Sequence, residues 1–240
     1  MASTINGTST GSGGLISTGD DSGILNIQTN ETTAVSISAA QVVTFTNAVA
    51  GGMTVQVLTS GSGTYTTPAG CKAIFVRMVG GGSSGGTNAA DPAGGGTSTF
   101  GSSLSCAGGG SISTGAAPPG GAATGGDLNI TGGYGNPSNN NATQSGGNGA
   151  SGPFGGAGGA GAGNTQTSGQ NASANSGAGG GGGYSVSTVG RAGGGAGGYL
   201  EKLISAPAAT FSYAIGAGGS GITGAGNGGS GVIIILEYYV

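Results

Sequence analysis

Glycine recurs at every third position through one stretch of the chain, and this spacing constrains the fold more than any other feature. The stretch contains Gly146, Gly149, Gly152, Gly155, Gly158 and Gly161. A polyproline-II-type helix has three residues per turn, so these glycines would line one edge of it. With a rise of about 3.1 Å per residue, the stretch predicts one extended run roughly 45–50 Å long. An edge without side chains allows such helices to approach each other closely. Their N–H and C=O groups point outward and must then form hydrogen bonds with neighbouring helices.

The composition of the chain excludes several classes of function. Glycine accounts for 63 of 240 residues, charged residues make up 5%, histidine is absent and the net charge is -3. Four Lys and Arg residues cannot neutralise a run of phosphates, so we expect no nucleic-acid binding. Without histidine or a paired set of acids, the sequence has none of the usual catalytic arrangements. We therefore expect neither enzymatic activity nor a cofactor.

The sequence also predicts neither a metal site nor a membrane-spanning segment. Cys71 and Cys106 lie outside any CxxC motif, and without histidine a zinc site is excluded by ligand count. We interpret both cysteines as small buried apolar side chains, and a disulfide between them remains open. The longest apolar run, 232–236, is too short to cross a membrane. The N-terminus has no basic region and no apolar stretch, so we expect no signal peptide.

The chain is predicted to be mainly β, with two domains. Residues 1–52 contain three short runs rich in β-branched residues, which predict a β-meander that is marginal alone and gains most by packing against copies of itself or a host surface. Residues 53–240 form a glycine-rich domain. Its strands, within 53–79 and 199–240, predict a β-sandwich-like framework around the glycine-rich insertion 80–198.

The distribution of apolar residues predicts individual strands of that framework. The run from Cys71 to Val79 is largely apolar, and from Ala73 onward both faces are apolar except at Arg77, which predicts a buried strand. The pattern over 210–215 places Phe211, Tyr213 and Ile215 on one face, and 231–240 predicts a buried central strand. The residues around Gly61–Gly63 predict a turn, and 65–70 predict a loop. The insertion contains few large apolar residues and has no helical period, so we expect an ordered glycine lattice, with polyglycine-II helices as one form.

Exposed aromatic and amide side chains are the best candidates for recognition. Tyr134 lies in a Gly-Gly-Tyr-Gly-Asn-Pro sequence, Tyr184 follows five glycines, and Asn139, Asn140 and Asn141 form a run between them. Tyrosine rings stack and amides both donate and accept hydrogen bonds, so this set suits binding to a receptor that is a sugar or a protein surface. The alternative is that the tyrosines wedge between glycine helices or cap them.

Three stretches resemble proteins of tailed-bacteriophage fibres and appendages. Residues 14–46 resemble the N-terminal block of many such proteins, and 63–82, with Tyr-Thr-Thr-Pro-Ala-Gly-Cys-Lys-Ala-Ile-Phe-Val-Arg, resemble the opening of their glycine-rich domain. The closing Gly-Val-Ile-Ile-Ile-Leu-Glu-Tyr is similar to the end of that domain. The 146–161 stretch is also similar to the stacked polyglycine helices of phage adhesin tips.

The resemblance implies a virion location, trimeric assembly and, frequently, host-surface binding. We therefore expect a homotrimeric tail fibre, spike or head fibre, docked to other virion proteins through residues 1–52. A host-surface glycan or protein would be the external partner. A capsid decoration, or cement, protein with no receptor is the alternative. An ice-binding polyglycine protein would show a strict Gly-x-x repeat, which this chain lacks.

Overall fold

The computed structural model describes residues 52–86, 92–111, 116–137, 145–163, 165–184 and 191–239, together with the backbone of three strands nearer the N-terminus. The chain divides into two compact units, Met1–Ala50 and Gly51–Val240. The three strands of the first unit are β1 (Leu25–Thr29), β2 (Thr32–Ile37) and β3 (Val43–Phe45). They pair antiparallel in chain order, which confirms the predicted meander.

The described residues of the second unit form ten strands in two antiparallel sheets. They are β4 (Met53–Leu58), β5 (Ser62–Thr66), β6 (Cys71–Val79), β7 (Ser98–Phe100), β8 (Leu104–Cys106), β9 (Ala123–Thr124), β10 (Leu128–Ile130), β11 (Tyr199–Ser205), β12 (Thr210–Ala214) and β13 (Val232–Tyr239). The first sheet has the order β10-β11-β6-β13-β4, and the second has the order β5-β12-β7-β8-β9. The described residues contain no helix, so the prediction of a mainly β fold is confirmed.

Alternate side chains of the two sheets meet in one hydrophobic core. In β6, Ile74, Val76 and Met78 are fully buried, because this strand lies at the centre of the first sheet. The rest of the core comes from both sheets: Tyr65, Phe100, Leu104, Cys106, Leu200, Ile233 and Ile235. Burial of each large aliphatic or aromatic side chain stabilises the fold by about 1.5–3 kcal/mol. The predicted face of β12 also packs here, through Phe211, Tyr213 and Ile215.

Two predictions about the framework were wrong. Residues 62–66 form a strand rather than a turn and the start of a loop, because Tyr65 is buried in the core and the strand pairs with β12. The glycine-rich region 80–198 is also not a simple insertion, since it supplies β7, β8, β9 and β10. Phe100 and Leu104 from this region are core residues. Two of the few large apolar side chains in the region thus complete the core of the sandwich.

The glycine-rich segments beyond the strands pair through their backbones. We call them the glycine array: 80–86, 92–97, 107–110, 116–122, 131–137, 145–163, 165–184, 191–198 and 215–231. In the central segment 80–86, amide donors repeat with period three. Gly80, Ser83 and Gly86 donate to 191–198, Gly81 and Ser84 donate to 92–97, and Gly82 and Gly85 donate to 225–231. A helix with three residues per turn directs successive amides roughly 120° apart, which gives this pattern.

The carbonyl groups of the same central segment extend the pairing to further neighbours. Gly109, Gly219 and Gly180 donate to the carbonyls of Gly81, Gly82 and Ser83, respectively. Segment 80–86 therefore lies among six hydrogen-bonded neighbours and is completely buried. Its interior consists of peptide groups, not hydrocarbon, and each buried peptide group must be paired to avoid a desolvation penalty.

Serine is accommodated in the array where its hydroxyl replaces a backbone partner. The Ser83 side chain is fully buried, and its Oγ accepts from the Gly195 amide at 2.7 Å. The Ser98 Oγ donates to the Val79 carbonyl at 2.7 Å and accepts from the Gly216 amide at 2.9 Å. No buried side-chain nitrogen or oxygen in the described part of the chain lacks a hydrogen-bond partner.

The glycines spaced by three residues do not form one long run, so the predicted length of 45–50 Å was wrong. The segment reverses at Pro153 and Phe154, and its two halves pair antiparallel. The hydrogen bonds run from Gly146 to Gly161, from Gly149 to Gly158 and from Gly152 to Gly155. Proline is favoured at the second position of a β-turn, and the Phe154 ring packs edge-on against Tyr199 at 5.5 Å. This anchored turn explains the reversal.

Candidate functional site

The two tyrosines predicted to bind a receptor differ in their exposure. Tyr134 is 65% exposed on the array, as a recognition residue must be. Tyr184 is half-buried, and the Arg191 guanidinium lies 5.0 Å above its ring. That contact fits the alternative interpretation of Tyr184, a ring wedged within the array. The run Asn139–Asn141 lies outside the described residues.

Arg191 is a charged side chain within the array. It is only 6% exposed, and burial lowers the pKa of its guanidinium. A cation stacked on an aromatic ring in a desolvated setting gains about 2 kcal/mol or more. The Tyr184–Arg191 pair therefore stabilises the array, and Tyr134 is the predicted recognition residue that faces solvent.

A second candidate surface is the outer face of the first sheet, opposite the core. Most of the large hydrophobic side chains that are exposed in the described residues lie on this face, and they are 36–54% exposed: Met53, Val55, Val57, Leu128, Ile130, Leu203 and Tyr238. Phe75 and Leu236 are half-buried between them. Monomeric proteins rarely expose contiguous apolar patches larger than a few hundred Å² unless the patch has a function.

One end of this outer face is already covered by the array. Phe154, at the tip of the glycine hairpin, packs on a small cluster made of Val79, Tyr199, Val232 and Ile234. The remainder of the face has no such cover within the described residues. We call this remainder the open patch and define it by Met53, Val55, Val57, Phe75, Leu203, Leu236 and Tyr238.

A cavity of about 440 Å³ lies at the junction of the outer face and the array. Arg77 in β6 lies beside Glu201 and Tyr199 in β11. The Arg77 Nε donates to the Tyr199 hydroxyl at 3.0 Å and to Glu201 Oε1 at 3.1 Å. Tyr199 donates to the same carboxylate oxygen, and the Arg77 guanidinium lies 5.3 Å above the Phe154 ring.

The electrostatics of this cluster favour a fixed ion pair. The hydrogen bond to Tyr199 is the main reason why the pKa of Arg77 is raised, and burial is the main reason why the pKa of Tyr199 is raised. Arg77 thus remains charged and Tyr199 neutral over the physiological range. Sequence analysis identified Arg77 as the polar exception in its strand, but the partners in β11 are over 120 positions away and gave no local signal.

A further polar cluster is buried between the two sheets. Glu237 is 1% exposed, and its carboxylate accepts from the Tyr65 hydroxyl at 2.8 Å and from the Thr54 hydroxyl. The Tyr239 hydroxyl donates to it at 3.3 Å. Burial and the adjacent carboxylate raise the pKa of Tyr65. These bonds connect β4 and β13 to β5 of the other sheet, so the cluster is a structural tie.

The described residues carry no arrangement of metal-ligating side chains. No group of three or more His, Cys, Asp and Glu residues is found among them. Nor do they include a helix long and apolar enough to cross a membrane. Cys71 and Cys106 are free thiols, half-buried and buried, respectively.

The fold and these surfaces define a class: an antiparallel β-sandwich joined to a hydrogen-bonded glycine array, with an apolar outer sheet face. Comparison with known proteins adds no family, since no family model, curated protein or solved structure matches the chain.

Proposed function

We propose that the protein is a structural component of a bacteriophage particle, a homotrimeric fibre or spike that contacts the host surface. The observation that carries the proposal is the open patch on the outer sheet face. Its exposed side chains, such as Val55 and Leu203, lie on adjacent strands and form one apolar surface. Removing such a surface from water is the dominant favourable term in protein association.

Further copies of the chain are the partners that this patch fits best. The patch itself has no charged side chain, and the neighbouring Arg77 and Glu201 neutralise each other, so three copies of the patch can meet around a three-fold axis without repulsion. With four strands about 4.8 Å apart and five residues about 3.4 Å apart, the patch covers roughly 300 Å². A stable interface uses about 800 Å² on each partner. Other surfaces must contribute the remainder, and residues 1–52 are the predicted contributor.

The glycine array supports the proposal in a different way. An appendage outside a cell must keep its shape without cofactors or metal, and an interior of paired peptide groups such as 80–86 provides this. The array also presents Tyr134 to solvent, where it can reach a host surface. The resemblance to phage appendage proteins supports a virion location.

The mass of the full chain in solution tests the assembly. Sedimentation of the trimer should give about 65 kDa, three times the 21.8 kDa chain. The substitution Val55→Glu should dissociate it, because a charge would be buried in the interface. Ile222→Glu is the matched control, since Ile222 is 41% exposed but lies in the array, away from the patch. A stable monomer, or equal assembly of both variants, would contradict the proposal.

The location on the particle needs a separate experiment. Gold-labelled antibodies against the chain should decorate a tail or head fibre in electron micrographs of the phage that encodes it. Labelling spread evenly over the capsid shell would instead support a decoration protein. Absence of the chain from purified particles would exclude both.

A further inference from the structure

The cavity beside Arg77 differs from two other cavities in the described structure. Those two, of about 340 and 330 Å³, are lined by uncharged side chains. The cavity beside Arg77, of about 440 Å³, lies within the range of about 300–1,000 Å³ that is typical of small-molecule sites. Its wall combines the ion pair with hydroxyl groups of Thr131 and Ser151 and apolar groups of Ile130 and Pro153.

The ion pair in this cavity retains unused hydrogen-bonding capacity. Only Nε of Arg77 and Oε1 of Glu201 bond within the described residues, which leaves the two terminal nitrogens and Oε2 without a protein partner there. The two side chains are 40% and 27% exposed. The site therefore offers a planar pair of donors and one acceptor side by side.

These groups are held in place before any ligand arrives. Tyr199 is 6% exposed, and it contacts both members of the pair. The Phe154 ring lies against the Arg77 guanidinium at 5.3 Å and fixes its plane. An ion pair this exposed contributes only about 0–1 kcal/mol to stability. Rigid polar groups directed into a cavity lower the entropy cost of binding.

We propose that this cavity binds a neutral saccharide, with the Arg77–Glu201 pair bonding to neighbouring hydroxyl groups of the sugar. A sugar hydroxyl donates one hydrogen bond and accepts others, which matches a donor and an acceptor held side by side. The opposite charges cancel, so the site does not favour an anionic ligand. The apolar side chains of Ile130 and Pro153 suit the C–H face of a sugar ring. The inference deepens the proposed function, on which it rests, by naming the class of host-surface ligand.

Binding can be measured with the full-length chain and defined sugars. Titration calorimetry with glucose, galactose, mannose, N-acetylglucosamine and their disaccharides should find at least one ligand. Arg77→Met should weaken binding of that ligand by about tenfold or more, because hydrogen bonds to charged groups are lost. Glu201→Gln should weaken it too and should raise affinity for glucuronate, since Arg77 is then uncompensated. Lys202→Met is the matched control, because it removes a neighbouring ion pair with Asp127 outside the cavity.

A second measurement keeps the test valid if a variant folds poorly. In methyl-labelled wild-type protein, the sugar should shift the NMR signal of Ile130, which lines the cavity, and leave that of Ile222 unchanged. Failure of every sugar to bind at millimolar concentration would overturn the inference. Preference of the wild type for glucuronate over the neutral sugars would also overturn it. So would tighter binding of N-acetylasparagine amide, which represents a protein ligand, than of every sugar.

The outcome is separable from that of the proposed function. If the chain is a monomer and binds sugar through Arg77, the sugar-binding inference stands and the proposed assembly is wrong. If the chain is a trimer on the virion and binds no sugar, the proposed assembly stands and the sugar-binding inference is wrong.

Discussion

Replacing Gly82, in the central segment of the array, by alanine should lower the Tm of the domain markedly. A Cβ at Gly82 would lie 2.0 Å from the Ala178 carbonyl oxygen, a separation that real Cβ atoms do not show. Backbone cannot rotate aside as a side chain can, so the two segments must separate by at least about 1 Å. That carbonyl accepts from the Gly229 amide at 2.8 Å, and the Gly82 amide donates to the Gly229 carbonyl at 2.9 Å.

The cost of Gly82→Ala follows from these distances. A separation of about 1 Å takes both hydrogen bonds beyond the usual 2.7–3.2 Å range. Each buried group left unpaired costs about 1–3 kcal/mol, and overpacking adds about 1–3 kcal/mol. A total near 4 kcal/mol corresponds to a fall in Tm of about 8–16 °C for a domain of this size.

Gly156→Ala is the matched control for this substitution. Gly156 also belongs to the array, but a Cβ there would meet nothing within 4 Å. Its Tm should stay the same or rise slightly, because alanine restricts the unfolded chain. Differential scanning calorimetry of both variants measures the effect without relying on a spectroscopic signal. If Gly82→Ala melted within about 2 °C of the control, the array would not be part of the cooperative structure.

Two further predictions concern titratable groups. Burial raises the pKa of the Cys106 thiol to about 12, and Cys71 is half-buried, so a thiol reagent should label one cysteine in the native protein and both after unfolding; equal rates would contradict this. The raised pKa of Tyr65 means that folding holds its proton more tightly, so its contribution is complete below about pH 10, the unfolded value, and declines above it. The Tm should fall less steeply from pH 9 to 12 in Tyr65→Phe than in the wild type, whereas parallel curves would refute the assignment.

Local patterns predicted the strands whose own sequence is strongly biased. The apolar run of β6, the face of Phe211 and Tyr213, and the closing strand β13 were found because β-branched and aromatic residues concentrate there. Strand β5, with the sequence Ser-Gly-Thr-Tyr-Thr, was missed because only Tyr65 in it is large. Its strand conformation comes from pairing with β12, more than 140 positions later.

The period of three predicted the spacing of hydrogen bonds in the array but not the path of the chain. Glycine spacing is the same whether a segment continues or reverses, so Pro153 and Phe154 were the only local sign of the turn. The candidate site was more difficult to predict from the sequence than the path of the chain. Arg77 stood out in its strand, but the positions of Tyr199, Glu201 and Phe154 around it depend on sheet register and on the hairpin tip.

The position of segment 80–86 within the array has a consequence for biosynthesis. Gly82 and Gly85 bond to Gly229 and Gly226, more than 140 positions later, so the middle of the array stays incomplete until that later stretch has been made. Contacts this distant in sequence slow folding. Until then, unpaired glycine segments of one nascent chain are open to those of another. A host cell that makes many copies at once must therefore keep them apart, and expression at low temperature or low copy number should raise the soluble yield.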